Sequence, residues 1–336
     1  MHAEAGEAPA VLERQLAAND GIIEALAARL RAQPPRFVVT CARGSSDHAA
    51  TFAKYAIETQ LGLVTASASP SVESVYAVAQ QLAGALYIVI SQSGKSPDLI
   101  RNAEAARTAG AHVVALVNVE DSPLAAIADS VIPLRAGPET SVAATKSYLA
   151  TLAAIVHLVA RWTEHAPLMH ALHDMPEAMR RALAADWSPL VAGLRDAHDL
   201  FVLGRGFGFG AAQEMALKFK ETSGLHAEAF SSAEVRHGPM AIVGKDFPVL
   251  AVGQDDGTLD GTLATVRDFR ARGARVWTAI PGDTHADALP VVSAPHPLLA
   301  PLLAVQSFYP AVNALALARG HNPDVPPYLN KVTETV

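Results

Sequence analysis

Residues 85–90 read Ala85-Leu-Tyr-Ile-Val-Ile90, and the polar turn Ser91-Gln-Ser-Gly-Lys-Ser96 follows directly. An apolar run of this length, rich in β-branched residues, predicts a strand that is buried on both faces of a parallel sheet. Ser and Gly after such a run are typical of a turn that leads into a helix, here over residues 97–109. The stretch therefore predicts an α/β fold in which strands and helices alternate.

The rest of the first half repeats this alternation. An opening helix is predicted before Pro34-Pro35, and a long helix is predicted over Lys146–Trp162. Between them lie short apolar runs separated by segments of helical length, which is the rhythm of a parallel sheet with helices on both faces. The predicted strands are Phe37–Thr40, Leu63–Thr65, Ala85–Ile90, His112–Val117 and Val131–Leu134.

The second half restarts the same pattern, with Phe201–Gly206 corresponding to Phe37–Gly44. Such self-similarity predicts a duplicated domain. We predict an N-terminal helix over residues 1–35, a first domain over 36–170, a linker over 171–190, a second domain over 191–320 and a C-terminal tail over 321–336. Each domain is expected to be a parallel five-stranded sheet flanked by helices, a flavodoxin-like three-layer sandwich. The second set of predicted strands is Leu200–Leu203, His226–Phe230, Pro248–Val252, Arg275–Ile280 and Val291–Val292.

The amino-acid composition excludes several classes of function. The formal net charge of -7 offers no basic surface for nucleic acid, and the single cysteine, Cys41, excludes an internal disulfide framework. Residues 1–7 lack the basic-then-apolar pattern of a signal peptide, and polar residues and prolines interrupt the apolar stretch Pro297–Ala318. We expect a cytoplasmic protein that binds neither nucleic acid nor membrane.

Two Ser-rich loops in the first domain predict a binding site for a monophosphate. Arg43-Gly-Ser-Ser46 and Ser91–Ser96 each follow a buried strand and open a helix, where hydroxyl and backbone N–H groups can bind an anion. Ser at a helix start is also a common N-cap, which is the simpler explanation of any one of these residues. In the second domain Asp255 and Asp256 occupy the corresponding loop and would repel a phosphate. We therefore predict one phosphate site, in the first domain.

Two features of the second domain remain open to more than one interpretation. Glu214, Lys218 and Glu221 share one face of a predicted helix, which is either an ordinary Glu–Lys stripe or a group with a chemical role. The glycine-rich turn Gly204–Gly210 matches a loose dinucleotide fingerprint and leaves a nicotinamide-dependent dehydrogenase as an alternative. Titratable residues are dense in the segment that follows, from His226 to His237.

Several motifs resemble the isomerase (SIS-domain) part of glucosamine-6-phosphate synthase. The family patterns E-G-A-L-K-L-K-E, H-A-E-A and G-E-L-K-H-G-P correspond to residues 214–221, 226–229 and 233–239. The patterns S-Q-S-G-E-T, A-G-P-E-x-x-V-A-S-T-K and D-x-P-R-N-L-A-K correspond to residues 91–96, 136–146 and 324–331. The resemblance covers nearly the whole chain and implies two tandem SIS domains.

The resemblance also implies roles for particular residues. In the family a Glu that matches Glu221 moves a proton between C1 and C2 of the open sugar, and a His that matches His237 opens the ring from a neighbouring subunit. A homodimer with a shared active site is therefore expected, and Lys331 matches a lysine that forms a Schiff base. The expected catalytic residues are Glu221, Lys218, His237, Lys331 and Glu214. The expected substrate-binding residues are Gly44, Ser45, Ser46, Ser91, Gln92, Ser93, Ser96, Val142 and Ala144.

The chain departs from the family at Ala144, where the family has a sugar-contacting Ser, and at Ser45 and Lys95-Ser96, which leaves the exact sugar open. The family's amide-hydrolysing domain has no counterpart in this sequence, so the resemblance is closer to a branch without it, of the glucosamine-6-phosphate deaminase type. The implied reaction converts glucosamine 6-phosphate and water to fructose 6-phosphate and ammonia, without a metal or other cofactor. The alternatives are an aldose–ketose sugar-phosphate isomerase, a fructosyl-amine phosphate deglycase and a sugar-phosphate-sensing module.

Overall fold

A computed structural model describes residues 1–331 and divides into two compact units. The first unit comprises Ala10–Glu139 and Lys146–His173, together with residues 330–331. The second unit comprises Met1–Pro9, Thr140–Thr145 and Asp174–Leu329. Each unit is built around one parallel sheet, which confirms the predicted α/β class and the tandem arrangement.

The sheet of the first unit has five parallel strands in the order β2-β1-β3-β4-β5. All seven residues of the third strand are buried, because helices cover the sheet on both faces. The strand order reverses between the first and third strands, and this reversal creates a crevice at the carboxyl edge of the sheet. The strands are β1 (Phe37–Cys41), β2 (Thr65–Ser67), β3 (Ala85–Ser91), β4 (His112–Val117) and β5 (Ser130–Pro133).

Helices of the first unit pack against both faces of this sheet. In helix α6 (Lys146–Trp162) every residue except Arg161 is buried, which is typical of a helix at the centre of a core. The helices are α1 (His2–Ala32, of which residues from Ala10 onward belong to this unit), α2 (Ser45–Leu61), α3 (Ser71–Ser74), α4 (Pro97–Thr108), α5 (Pro123–Ile127), α6 (Lys146–Trp162) and α7 (Ala166–His173).

The sheet of the second unit has four parallel strands in the order β7-β6-β8-β9 over the described residues. The strands are β6 (Asp199–Gly204), β7 (His226–Ser231), β8 (Pro248–Val252) and β9 (Arg275–Ala279). The α-helices are α8 (Met175–Leu183), α9 (Ser188–Leu194), α10 (Phe207–Ser223), α11 (Leu259–Ala271) and α12 (Ala300–Ala318), and short 3₁₀ turns occupy Glu234–Arg236, Pro239–Ile242 and Pro297–Leu299.

Helix α12 packs along α10, and the rings of Phe308 and Phe219 meet edge to face with centroids 5.0 Å apart. Pro297–Ala318 is long and apolar enough to cross a membrane by length and composition, yet 67% of its most apolar window is buried in the protein. A helix of this composition that is mostly buried is typical of a hydrophobic core.

The duplication predicted from the sequence is visible in the backbone. Gly44 (φ 56°, ψ −132°) and Gly206 (φ 56°, ψ −127°) have nearly the same unusual conformation, and each precedes a helix of 17 residues. Gly62 and Gly224 end these helices in the left-handed conformation. The copies are therefore related by a constant offset of 162 residues, which pairs Phe37 with Asp199 and not with Phe201.

The predicted fifth strand of the second sheet, Val291–Val292, is wrong. After β9 the chain forms an isolated bridge between Thr278 and Ala288, and Leu289 N–H donates to the Thr278 carbonyl at 2.8 Å, whereas Val291–Val292 lies outside the strands of the described residues. Pro290 follows at once and has no N–H group with which to continue the ladder. Apolar residues beside a proline therefore lie in an irregular segment.

We predict that Gly94→Ala destabilises the protein by about 3 kcal/mol, whereas Gly62→Ala costs only about 1 kcal/mol. Both glycines have positive φ angles (63° and 67°), but an added Cβ at Gly94 would lie 2.1 Å from Ser122 Oγ and 2.5 Å from Ser122 Cβ. No atom lies within 4 Å of a Cβ at Gly62. Urea unfolding of both variants measures the difference, and equal losses would contradict a fixed Ser122.

Candidate active site

The crevice of the first unit lies between the loops that follow β1 and β3. Gly44 immediately precedes α2, so the N–H groups of the first turn, including those of Ser45 and Ser46, are at the carboxyl edge of the sheet. Strand β3 lies beside β1 and delivers the loop Ser91–Ser96 to the same edge. Two strand-to-helix turns at a reversal of strand order form the usual place for an anionic ligand in such sheets.

Hydrogen bonds inside the second loop fix its shape. Ser91 Oγ accepts a hydrogen bond from Gly94 N–H at 3.1 Å, and Ser93 Oγ accepts one from Lys95 N–H at 3.3 Å. Ser91 is buried whereas Ser93 is half-buried, so Ser91 fixes the turn and Ser93 is the more accessible hydroxyl. The Gln92 carbonyl accepts from Asn118 N–H at 3.1 Å, which joins the loop to the end of β4.

A buried carboxylate orients an arginine at the rim of this crevice. Arg43 Nε lies 2.9 Å and an Arg43 terminal nitrogen 2.8 Å from Asp98 Oδ2, and the Asp98 side chain is fully buried. The guanidinium is half-exposed and comes directly before Gly44. The first loop therefore has a positively charged side chain at a fixed place beside the hydroxyl and N–H donors.

The corresponding crevice of the second unit is filled by its own side chains. Gln254 is 1% exposed, and its Nε2 lies 2.9 Å from Arg205 O, Asp256 Oδ2 and Thr258 Oγ1. A Cβ at Gly208 would lie 2.8 Å from Gln254 Oε1. The glycines of the turn thus leave room for the Gln254 side chain. This internal packing explains why glycines stand there without a bound dinucleotide.

The charged face of α10 forms an ion-paired group inside the second unit. Lys218 Nζ lies 3.2 Å from Glu214 Oε1 and 2.6 Å from Glu221 Oε2. The side chains of Lys218 and Glu214 are fully buried, whereas that of Glu221 is 21% exposed. Tyr309 of α12 donates its hydroxyl hydrogen bond to Glu214 Oε1 at 3.3 Å. Glu221 is therefore the one of these three charged residues that reaches solvent.

Two opposing effects act on the pKa of Lys218. Burial, the largest effect, would lower that pKa, but the charges of Glu214 and Glu221 and the hydrogen bonds to them outweigh it and raise the pKa above the ordinary value of a lysine. Lys218 is consequently an ammonium at neutral pH. A lysine in this state can neutralise a negative charge but cannot relay a proton at neutral pH.

Comparison of the two copies separates this group from an ordinary surface stripe. With the offset of 162 residues, Glu214 and Lys218 correspond to Phe52 and Ala56 of α2, both of which are fully buried. The positions are therefore core positions of the repeated fold. Burying a charge there costs several kcal/mol more than burying an apolar side chain, so packing alone does not explain Glu and Lys.

The remaining expected residues lie in different parts of the chain. His237 is exposed and follows the 3₁₀ turn Glu234–Arg236 in the second unit. Lys331, the last described residue, belongs to the first unit, where its Nζ lies 3.1 Å from Glu139 Oε2. Val142 and Ala144 belong to the second unit, and Val142 N–H donates to the Asp324 carbonyl at 3.1 Å.

Three residues that the sequence did not single out contribute to these groups. Glu139 was visible only as one residue of a longer motif, Tyr309 only as one residue of an apolar helix, and Gln254 only as the counterpart of Gln92 in the repeat. Over residues 1–331 no group of three or more His, Cys, Asp or Glu side chains is arranged to hold a metal ion. The acid–base groups available are therefore carboxylates, lysines and histidine.

Comparisons with known proteins agree with this architecture. A family model described as the SIS domain matches residues 34–161 and 193–317. The chain is 38% identical over 279 residues to a glutamine–fructose-6-phosphate aminotransferase (isomerizing) of Pyrobaculum aerophilum, a match that covers 78% of this chain and 46% of that protein. The chain spans about half the length of the curated relatives it matches.

Two solved structures are similar over nearly the whole chain. A protein of Silicibacter pomeroyi DSS-3, provisionally named a phosphosugar isomerase, is 42% identical with a TM-score of 0.92 and covers 96% of this chain and 99% of its own. The C-terminal domain of glucosamine-fructose-6-phosphate aminotransferase from Francisella tularensis is 25% identical with a TM-score of 0.84 and covers 96% of both chains.

We predict that Lys218→Met destabilises the protein by about 3–5 kcal/mol, because the fully buried carboxylate of Glu214 loses its counter-charge. Adding Glu214→Gln to this variant should restore at least half of the loss, since an amide has no charge to leave unpaired. Chemical unfolding of both single variants and the double variant gives the coupling free energy. A loss below about 1 kcal/mol for Lys218→Met would contradict a buried ion pair.

Proposed function

The chain belongs to the SIS-domain family, and from this premise we propose that it is an enzyme acting on a phosphorylated amino sugar. The proposed reaction converts glucosamine 6-phosphate and water to fructose 6-phosphate and ammonia. The names of the curated relatives specify fructose 6-phosphate, transfer of an amino group and isomerisation. The observation that carries the proposal is the charged face of α10, in which a buried ammonium lies beside a carboxylate that reaches solvent.

In the proposed mechanism the crevice of the first unit binds the phosphate. The hydroxyls of Ser46 and Ser93 supply hydrogen bonds to its oxygens, and the positive end of the α2 helix dipole attracts its charge. Arg43, oriented by Asp98, adds a positive charge at the rim. The second unit has no equivalent site because Gln254 fills its crevice, so one substrate binds to each chain.

The proposed chemistry moves one proton between neighbouring carbons of the open-chain sugar. Glu221 removes the proton from C2 and returns it to C1, while the C1 oxygen gains a proton and the nitrogen loses one, which converts the aldose amine to an imine at C2. Lys218 stays charged and stabilises the negative charge that develops during the transfer. Water, or Lys331 acting first as a nucleophile at C2, then releases ammonia.

Opening of the sugar ring requires a further group that donates and accepts a proton near neutral pH. We assign this step to His237, whose exposed position in the single chain suits a side chain that acts on a substrate held by a second copy. The proposed assembly is accordingly a homodimer, and the proposed setting is the cytoplasm.

The proposed reaction releases ammonia and does not use Cys41 to hydrolyse an amide. A cysteine acts on an amide as a thiolate. Burial, with a smaller contribution from the charge of Asp98, raises the pKa of the Cys41 thiol to about 11, and the residue is 0% exposed. Cys41 is the single cysteine of the sequence, and it is unsuited to that role.

We expect Glu221→Gln to lower the rate of ammonia release from glucosamine 6-phosphate by about 100-fold or more, because the amide cannot accept the proton. The fold should be kept, since the substitution changes charge and hardly changes volume. Glu58→Gln is a matched control, because Glu58 lies in the sister helix α2 and pairs with Lys54 at 3.0 Å. Near-normal ammonia release by Glu221→Gln would contradict the assigned role.

The wild-type assay also separates the proposed reaction from its alternatives. Ammonia and fructose 6-phosphate should form in equal amounts from glucosamine 6-phosphate. Conversion of glucose 6-phosphate to fructose 6-phosphate without ammonia would instead indicate an aldose–ketose isomerase, and tight binding without turnover would indicate a sensing module.

Ser46→Ala and Ser93→Ala should each raise KM for the phosphorylated sugar about tenfold, with kcat changed much less. Each variant loses one hydrogen bond to the phosphate, worth about 1–3 kcal/mol, and the phosphate is remote from the reacting carbons. Ser188→Ala is the control, because Ser188 is an exposed residue that begins α9. An unchanged KM in both crevice variants would exclude this phosphate site.

A further inference from the structure

A buried carboxylate faces the amine of Lys331 in the first unit. Lys331 Nζ lies 3.1 Å from Glu139 Oε2, and the Glu139 side chain is 0% exposed whereas that of Lys331 is 25% exposed. Glu139 follows β5 at the carboxyl edge of the sheet, and Lys331 comes from the end of the chain, 192 residues away. A contact between residues this far apart holds a terminal segment at one defined place.

Two donors from one residue of α6 hold the carboxylate. Ser147 N–H donates to Glu139 Oε1 at 3.1 Å, and the Ser147 hydroxyl donates to Oε2 at 2.6 Å. Both bonds are buried, and together they fix the plane of the carboxylate with Oε2 directed to Lys331. The orientation of Glu139 is therefore set by the core of the first unit.

The geometry allows direct proton transfer between the two groups, because Lys331 Nζ and Glu139 Oε2 are 3.1 Å apart. A lysine amine in water is almost entirely protonated at neutral pH, and an ammonium is not a nucleophile. A buried ion pair carries a desolvation cost of several kcal/mol for each ion. Moving one proton from Lys331 to Glu139 replaces a fully buried carboxylate and a partly exposed ammonium with two neutral groups, and loss of the buried negative charge offsets part of the cost of the transfer.

We propose that Glu139 is the proton acceptor that frees Lys331 for attack on the carbonyl carbon of the open-chain ketose phosphate, and the counter-ion of the iminium that results. This inference rests on the proposed function. It adds to that function an acid–base residue from the first unit, distinct from Glu221.

Each step of the proposed sequence balances. The Lys331 ammonium gives one proton to Glu139 Oε2, and the neutral amine forms a bond to the carbonyl carbon to give a carbinolamine. Glu139 then returns its proton to the departing hydroxyl, which leaves as water while the nitrogen lone pair forms the C=N bond. Ammonium and ketone have become iminium and water, and the carboxylate again faces a positive nitrogen.

The test is the rate at which the full chain is trapped on fructose 6-phosphate by borohydride, measured as one sugar-phosphate mass on the peptide that contains Lys331. Glu139→Gln keeps the shape, with the Ser147 hydroxyl accepting from the amide instead of donating, but removes the proton acceptor, and trapping should slow by about 100-fold. Glu139→Asp keeps a carboxylate and should be slowed less than tenfold. Lys331→Arg keeps the positive charge and should give no adduct.

A second matched pair covers the case in which Glu139→Gln fails to fold. Glu139→Asn and Glu139→Asp have the same length, so a structural role predicts equal trapping and a proton-transfer role predicts at least tenfold faster trapping for Asp. Trapping by the Gln variant at the wild-type rate would overturn the proposal, as would equal rates for Asn and Asp.

Measuring ammonia release distinguishes the proposed role of Glu139 from the proposed deaminase function. Wild-type protein that releases ammonia but gives no adduct overturns the role of Glu139 and leaves the deaminase function standing. Protein that gives the adduct, with the Gln variant slowed, but releases no ammonia supports Glu139 and overturns the deaminase function.

Discussion

The second unit depends on one buried positive charge, the ammonium of Lys218 between two carboxylates of its own helix. Helix α10 contacts β6, β7, β8 and α12, and these elements shield the charges of Glu214 and Lys218 at its centre from solvent. Desolvation of three ions costs more than their mutual attraction returns unless every geometry is good. The group therefore constrains how α10 and α12 pack, and Tyr309 adds a hydrogen bond from the second of these helices.

Duplication explains how such a costly feature can exist in a stable fold. The two copies share the turn at Gly44 and Gly206 and the same helix length, yet they differ in what they place on that frame. The first copy keeps an apolar helix face at Phe52 and Ala56 and has Ser-rich loops at its crevice. The second copy fills its crevice with Gln254 and carries charge on the helix. Each copy therefore has a feature that the other lacks: Ser-rich loops in the first and buried charges on the helix in the second.

The sequence predicted the fold well because burial and periodicity act locally. His112–Val117, Pro248–Val252 and Lys146–Trp162 have the predicted bounds, and most other elements differ by one to three residues. Where an element depends on a long-range partner, prediction failed: Val291–Val292 has strand composition but follows Pro290 and pairs with no strand among residues 1–331. Glu139 could not be found for the same reason, since the residue it faces lies 192 positions later. The roles of the expected site residues remain predictions.

The charge state of Lys218 limits which residues can carry out the acid–base steps of the proposed reaction. A lysine that stays protonated cannot exchange a proton with the sugar at neutral pH, so the acid–base steps are left to carboxylates and histidine. A fixed positive charge beside Glu221 speeds the proton transfer only if it stabilises the transition state more than the ground state. An intermediate with negative charge spread over C1, C2 and oxygen meets this condition, because it forms as the proton leaves. Binding free energy from a phosphate that is remote from the reacting carbons can then orient the sugar without contributing to the chemistry itself.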